Sequence, residues 1–263
     1  MAEIKTAFML IFNYDSTFEG LLTSVFEAYN RNRFPDAIQA KGRQPESLFA
    51  EVVEIDSVTE KADRVWKGIQ KKVTKRNSQL LFHAFLSEEE GIEMKILRFV
   101  QRLFAEEVNI ETDFGDPDVL YLVQTDRKVK REAMRMMQFV RFQQTKDGLY
   151  VCGIEPRYDV LPMVITHFRN RFADQQWLMY DLRRNYGAFY NKKSVEEVVL
   201  TSQEINRNTG QVNRNVLEES DAFYQTLWKS YFQNISIKER KNLRLQRQHM
   251  PRRFWRYLTE KQF

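Results

Sequence analysis

Short unbroken apolar runs are interspersed with longer amphipathic stripes in this chain, and the irregular order of the two limits its fold most. Ala7 to Phe12 is apolar throughout and short enough to be a strand buried on both faces. Ala50 to Ile55, Leu149 to Ile154, Trp177 to Asp181 and Gly187 to Tyr190 also read as strands. Val195 to Leu200 fits either a helix or a strand. Other segments carry apolar residues at helical spacing: Leu21, Leu22, Val25, Phe26 and Tyr29, then Val58, Ala62, Val65, Trp66, Ile69 and Val73. A third stripe runs through Ile92, Ile96, Leu97, Val100, Leu103 and Phe104. The strands are spaced too unevenly for a repeating βαβ series. The expected class is therefore α+β, a small, mostly antiparallel sheet of about four or five strands covered by many helices. We expect one compact domain over 1–263, with room for a helical lobe over 57–125 and a basic helical C-terminal segment over 217–263.

Local signals refine this outline. Ser16-Thr17-Phe18-Glu19 and Ser57-Val58-Thr59-Glu60 have the form of capping boxes. Ser87 with Glu88 to Glu90 reads as the acidic start of a helix, where the macrodipole favours anions, rather than as a metal site. Asn30 to Pro45 and Thr201 to Asn215 are polar and read as loops. Ser78 to Leu86 reads as a short helix, and Asp116-Pro117 opens another helical region. From Asp126, Val129, Ala133, Met136, Met137 and Val140 form a stripe, with Arg127, Lys128, Arg131 and Arg135 off it. That basic side fits either a phosphate track or a solvated face. Met134, Met136, Met137 and Met163 are expected to fill core gaps. Val160 to Phe172 reads as a helix with Pro162 in its first turn.

Several classes of chemistry lack their signature. No run of about 18 apolar residues is present, so no membrane span is expected, and Met1 to Lys5 lacks a signal-peptide pattern. One cysteine, Cys152, rules out an internal disulfide framework and fits a reducing cytoplasm. It sits in an apolar run and reads as a buried structural thiol. His83, His167 and His249 are far apart, without metal-ligand spacing. No Walker loop, dinucleotide fingerprint, nucleophile elbow or HExxH motif occurs. No cofactor is expected, and no reaction can be read from a motif.

Charge is uneven along the chain. From Lys229 to Phe263 there are ten Lys or Arg against Glu239 and Glu260, a net of +8 where the whole chain is +5. Tyr224, Leu227, Trp228, Tyr231 and Ile235 form one helical stripe there, expected to dock. Met250-Pro251 opens a second helix, with Phe254, Trp255, Tyr257 and Leu258 on one side and Arg252, Arg253 and Arg256 on the other. Leu182 to Tyr186 is a short loop bearing Arg183 and Arg184. Such basic, aromatic-interleaved segments suit nucleic acid. The candidate contacts are Arg141, Arg171, Arg183, Arg184, Arg247, Arg252, Arg253 and Trp255. Trp255 fits either a core anchor or a base-stacking platform. A nucleic-acid-processing enzyme using Glu155, His167 or Asp181 is the alternative, and a protein-interaction scaffold without DNA binding is the third reading.

The string Trp228, Tyr231-Phe232, Ile235, Ile237, Arg240, Asn242, Gln246, Met250-Pro251-Arg252-Arg253-Phe254-Trp255, Leu258 and Glu260 resembles the end of a bacterial family of DNA metabolism or DNA repair proteins of unknown function. Phe139-Val140-Arg141-Phe142, Tyr150, Glu155-Pro156, His167-Phe168, Arg171-Phe172, Trp177 and Asp181 are similar to the same family. So are Asn13 to Gly20 and Val25 to Ala28. Members are typically encoded beside a radical-SAM protein carrying helix-hairpin-helix elements, and some relatives are fused to a uracil-DNA-glycosylase-like domain. The resemblance implies a role in DNA repair or modification, with DNA (single- or double-stranded) and that radical-SAM protein as partners. The iron–sulfur cysteines of radical-SAM chemistry are not found in this sequence, so that chemistry would belong to the partner.

Overall fold

The first apolar run forms β1 (Met9–Tyr14). In the computed structural model it is flanked by β2 (Ala37–Ala40) and β3 (Ala50–Ile55), both parallel to it, in the order β2-β1-β3. The structure describes residues 9–42, 50–106, 110, 112–200, 205, 212, 217–235 and 242–261. Expectations over Ala7-Phe8, most of Thr201 to Asn215, and the side chains of Ile235 and Arg256 lie outside the described residues. The chain divides into two compact units, Met1–Lys130 and Arg131–Phe263.

In the first unit the parallel sheet is packed with α1 (Phe18–Asn30), α2 (Thr59–Lys72), α3 (Lys75–Phe85), α4 (Ile92–Ala105) and the first part of α5 (Pro117–Phe139). Ile11 and Phe12 are 2% and 1% exposed, as an unbroken apolar run on a central strand requires. The helical stripes point inward: Leu21, Val25, Ile69, Leu81, Ile96, Val100 and Leu122 share one core.

Four local expectations in this unit are corrected. Thr17, not Ser16, caps α1: its side chain accepts from Gly20 N at 2.9 Å, and Asp15 accepts in turn from the Thr17 amide and hydroxyl. Glu19 does not reach back to a cap but accepts from Thr59 Oγ1. No side chain caps α2, because the Ser57 hydroxyl is spent on Asp15 at 2.5 Å. Ser87 and the three glutamates do not begin α4; Gly91, in the left-handed region at φ 72°, precedes its first residue. Glu89 instead accepts from the Tyr121 hydroxyl at 2.6 Å and from Lys128 at 3.4 Å. Finally, β2 lies inside the segment expected to be a loop. Four residues are too few to show a period, and the strand exists because β1 offers it a free edge.

The second unit holds a five-stranded sheet ordered β4-β5-β6-β7-β8: β4 (Gln143–Gln144), β5 (Tyr150–Ile154), β6 (Trp177–Asp181), β7 (Tyr186–Tyr190) and β8 (Val195–Val198). Three neighbouring pairs are antiparallel. Only β5 and β6 run parallel, across α6 (Leu161–Arg171). The mixed fold class and a mostly antiparallel five-stranded sheet match the sequence expectation, but two of the strands expected there, β1 and β3, belong to the separate parallel sheet of the first unit. Cys152, on β5, is 3% exposed, and burial pushes its thiol well above the usual range. Among the methionines, Met136 is core at 3% exposure, but Met134 is 56% exposed and no core filler.

The C-terminal region departs from expectation in one respect. The stripe on α7 (Glu219–Ile235) is not covered: Tyr224, Leu227, Trp228 and Tyr231 are 65%, 48%, 41% and 55% exposed. Periodicity says which residues share a face; it does not say that another element lies against that face. A further helix, α8 (Leu243–His249), precedes Met250-Pro251. After Pro251 the chain forms a 3-10 helix, Arg252–Tyr257, rather than an α-helix. Here the docking does occur, through Phe254 and Leu258, which are 2% and 0% exposed. Phe254 packs at 5.3 Å, centroid to centroid, on Phe139 of α5. Trp255 is only half-buried, and its Nε1–H donates to the Met250 carbonyl at 3.0 Å. Phe254→Ala should therefore cost about 3–5 kcal/mol in urea unfolding, and Trp255→Ala distinctly less.

Candidate functional site

The site is built on two loops at one end of the five-stranded sheet. Asp181 closes β6 and is fully buried. Its Oδ1 accepts the backbone N–H groups of Arg183 and Arg184 at 2.9 and 3.1 Å, and its Oδ2 accepts Arg184 Nη1 at 2.8 Å. This is the Asx-type closure expected of an Asp opening a tight turn. Asn185, at φ 59°, completes the turn into β7. The second loop follows β5. There the Arg157 carbonyl accepts Arg183 Nη1 at 2.8 Å, and the Pro156 carbonyl accepts Arg184 Nη1 at 3.3 Å. The two loops are thus tied by guanidinium-to-carbonyl bonds.

A third element joins them. Glu132 of α5, 2% exposed, accepts the Arg157 backbone N–H at 2.9 Å on one oxygen and the Arg253 guanidinium on the other. Arg131 and Arg135 lie on the same stretch of α5. Burial lowers the pKa of Arg135, and the positive charges of Arg253 and Arg131 lower it further, against the pull of Glu132. The cations are therefore crowded. Six arginines, at 131, 135, 157, 183, 184 and 253, gather around the buried carboxylates Glu132 and Asp181. Among the described residues no carboxylate forms an ion pair with Arg131, Arg135, Arg157 or Arg183, which leaves their charge available.

The structure thus brings together three of the expected contacts: Arg183, Arg184 and Arg253. Arg184 is not the exposed loop residue expected; its side chain is 10% exposed because Asp181 holds it. Arg131 and Arg135 were legible as a basic helix side. Arg157 was missed, since a single arginine after a strand carries no pattern.

Arg141 and Arg171 lie elsewhere, on a cavity of about 670 Å³ that Phe142, Phe168, Phe172 and Trp177 also line. Arg141 donates to the Gln138 and Val140 carbonyls at 3.1 and 3.0 Å and to Glu260 at 2.9 Å. The remaining expected contacts are dispersed. Arg247 is exposed on α8. Arg252 and Lys261 sit 5.9 and 5.1 Å from the Trp255 ring centroid, so cations already attend that ring. Glu155, His167 and Asp181 do not share a pocket. His167 lines the cavity, Glu155 accepts the Tyr257 hydroxyl at 3.0 Å, and Asp181 serves the turn. Among the described residues no group of three or more His, Cys, Asp and Glu is placed to hold a metal ion, and no helix is long and apolar enough to cross a membrane.

This geometry falls within one domain family. The chain belongs to the family described as Domain of unknown function (DUF4130), which matches residues 90–260 and so spans the whole arginine cluster and the cavity. No curated protein and no solved structure matches the chain.

Glu260 anchors the end of this unit, accepting Trp228 Nε1–H at 3.0 Å besides Arg141. Burial alone would raise its pKa. Hydrogen bonds from its own backbone amide and Trp228, with the charge of Arg141, outweigh that and hold it below the usual value. A carboxyl depressed by folding stabilises fully above its unfolded value, about 4.3. That stability is lost as pH falls through the lower folded value. Glu260→Gln should therefore be less stable than the parent near neutral pH, with the gap closing in acid. Urea unfolding at neutral pH and again below the unfolded carboxyl value checks this; an undiminished gap in acid would contradict it.

Proposed function

We propose that this protein is a nucleic-acid-binding factor in DNA repair or modification, acting in the cytoplasm as an accessory to a radical-SAM partner protein. The observation that carries the binding is the arginine cluster around Arg157. Guanidinium groups suit phosphate because they present paired donors in one plane. Here four of them lack a carboxylate partner among the described residues, while two buried acids hold the loops that bear two of these, Arg157 and Arg183. The resemblance to bacterial DNA metabolism proteins supports the DNA setting and the radical-SAM partner. The exposed apolar face of α7, with Phe223, Tyr224, Leu227 and Tyr231, supports a protein partner in addition to a strand.

Binding through phosphates is tolerant of sequence and steeply dependent on salt. Fluorescence anisotropy with labelled single- and double-stranded DNA, at low and moderate salt, should show affinity falling as salt rises. Arg157→Ala and Arg183→Ala should each flatten the log–log salt slope by about one unit without altering which sequence is preferred. Both side chains are exposed, so the melting temperature should hardly move for Arg157→Ala and fall slightly for Arg183→Ala, which also loses its bond to the Arg157 carbonyl. No binding to either strand form at low salt and high protein concentration would rule out autonomous DNA binding.

A further inference from the structure

The aromatic cavity of the second unit has surfaces that the phosphate-binding role does not use. At about 670 Å³ it falls within the range of small-molecule sites. One wall is aromatic: Phe172 is half-buried and near-parallel to the buried Phe168 behind it, 9° apart with centroids at 6.3 Å, and Phe142 stands edge-on to both at 5.7 and 5.5 Å. Beside the rings are groups that can both donate and accept hydrogen bonds: the amides of Gln138 and Gln175 and the hydroxyl of Tyr150.

Arg141 and Arg171 line the cavity, and no carboxylate does so among the described residues; the charge of Arg141 is offset by Glu260 behind it, which leaves Arg171 as the cation open to a ligand. Arg171 is exposed, its guanidinium 5.6 Å from the Phe172 ring centroid, and no carboxylate pairs with it among the described residues. Arg141 is already fixed by Glu260 and two backbone carbonyls, so a ligand need not pay to order it. A purely apolar ligand would leave Arg171 and the amides unused. A small carboxylate or phosphate would leave the rings unused. A planar heterocycle carrying a phosphate uses all three surfaces.

We propose that this cavity receives one unstacked nucleotide of a single strand, its base against the Phe172 ring that Phe168 backs and its phosphate at Arg171. This deepens the nucleic-acid-binding reading and rests on it for the source of the nucleotide. Stacking tolerates any base, because every base has a π face. The cavity therefore adds a preference for single strands over duplex without adding a preference for sequence.

The test uses the full chain. Calorimetric titration with dAMP and with dTMP should show both binding, and inorganic phosphate or the free nucleosides binding about tenfold more weakly or worse. Met134 lines the cavity and is 56% exposed, so Met134→Trp should obstruct it with little change in melting temperature. That variant should lose about tenfold in affinity for dAMP and for a short single strand, while duplex affinity stays unchanged. Should it fold poorly, Gln138→Trp, at another exposed lining position, replaces it. Arg171→Ala should weaken the monophosphates but not the nucleosides. Absence of monophosphate binding at millimolar concentration overturns the proposal. So does a folded, obstructed variant that keeps full single-strand affinity; DNA binding would then stand without the cavity. Monophosphates that bind while no DNA does would support the nucleotide site and overturn the DNA reading instead.

Discussion

Three buried carboxylates allow the second unit to gather as many arginines as it does. Glu132, Asp181 and Glu260 are 2%, 0% and 3% exposed, and each is bound to a guanidinium that would otherwise repel its neighbours. Each also accepts a bond from a neutral donor: the Arg157 amide, the turn amides after β6, or the Trp228 indole. A buried carboxylate is tolerable only when its oxygens are satisfied in this way. The same bonds connect α5, the loops after β5 and β6, and the 3-10 segment after Pro251. Charge neutralisation and loop placement are thus one interaction here.

The arrangement separates arginines that build from arginines that remain available. Arg184, Arg141 and Arg253 are committed to Asp181, Glu260 and Glu132. Arg131, Arg135, Arg157, Arg171 and Arg183 have no carboxylate ion pair among the described residues. In a basic segment read only for its charge, these two kinds look alike. Their effects on substitution should differ in kind, the first on folding and the second on a charged ligand. Arg135 shows the cost of crowding, its pKa lowered by burial and then by Arg253 and Arg131.

The aromatic content of the chain is used in two ways. Trp177 is 1% exposed and packs on Tyr190, with ring centroids 5.5 Å apart. Its Nε1–H is buried and has no hydrogen-bond partner among the described residues, a cost of about 1–3 kcal/mol borne by the packing around it. Phe168, also buried, continues this cluster to the half-buried Phe172 at the cavity. The core therefore continues into a cavity wall.

Element types were legible in the sequence wherever a period ran long enough. Ile92 to Phe104 could only be an amphipathic helix, and the runs at β1, β5 and β6 were too short and too apolar for anything but buried strands. The turn before β5 places Gly148 at φ 83°, a conformation that glycine tolerates. The excess of positive charge near the C-terminus was likewise a property of composition. Only the tertiary structure decided what each element met. It made a strand of Ala37 to Ala40, left the stripe on α7 exposed, and buried Phe254 while leaving Trp255 half-exposed. It also brought Arg157, Arg183 and Arg253 together although they lie far apart in the chain. Periodicity and local propensity depend on neighbours a few residues away. Arg184 finds its buried acid three residues away, but the acids that Arg141 and Arg253 find lie 119 and 121 positions distant, and no local pattern records them.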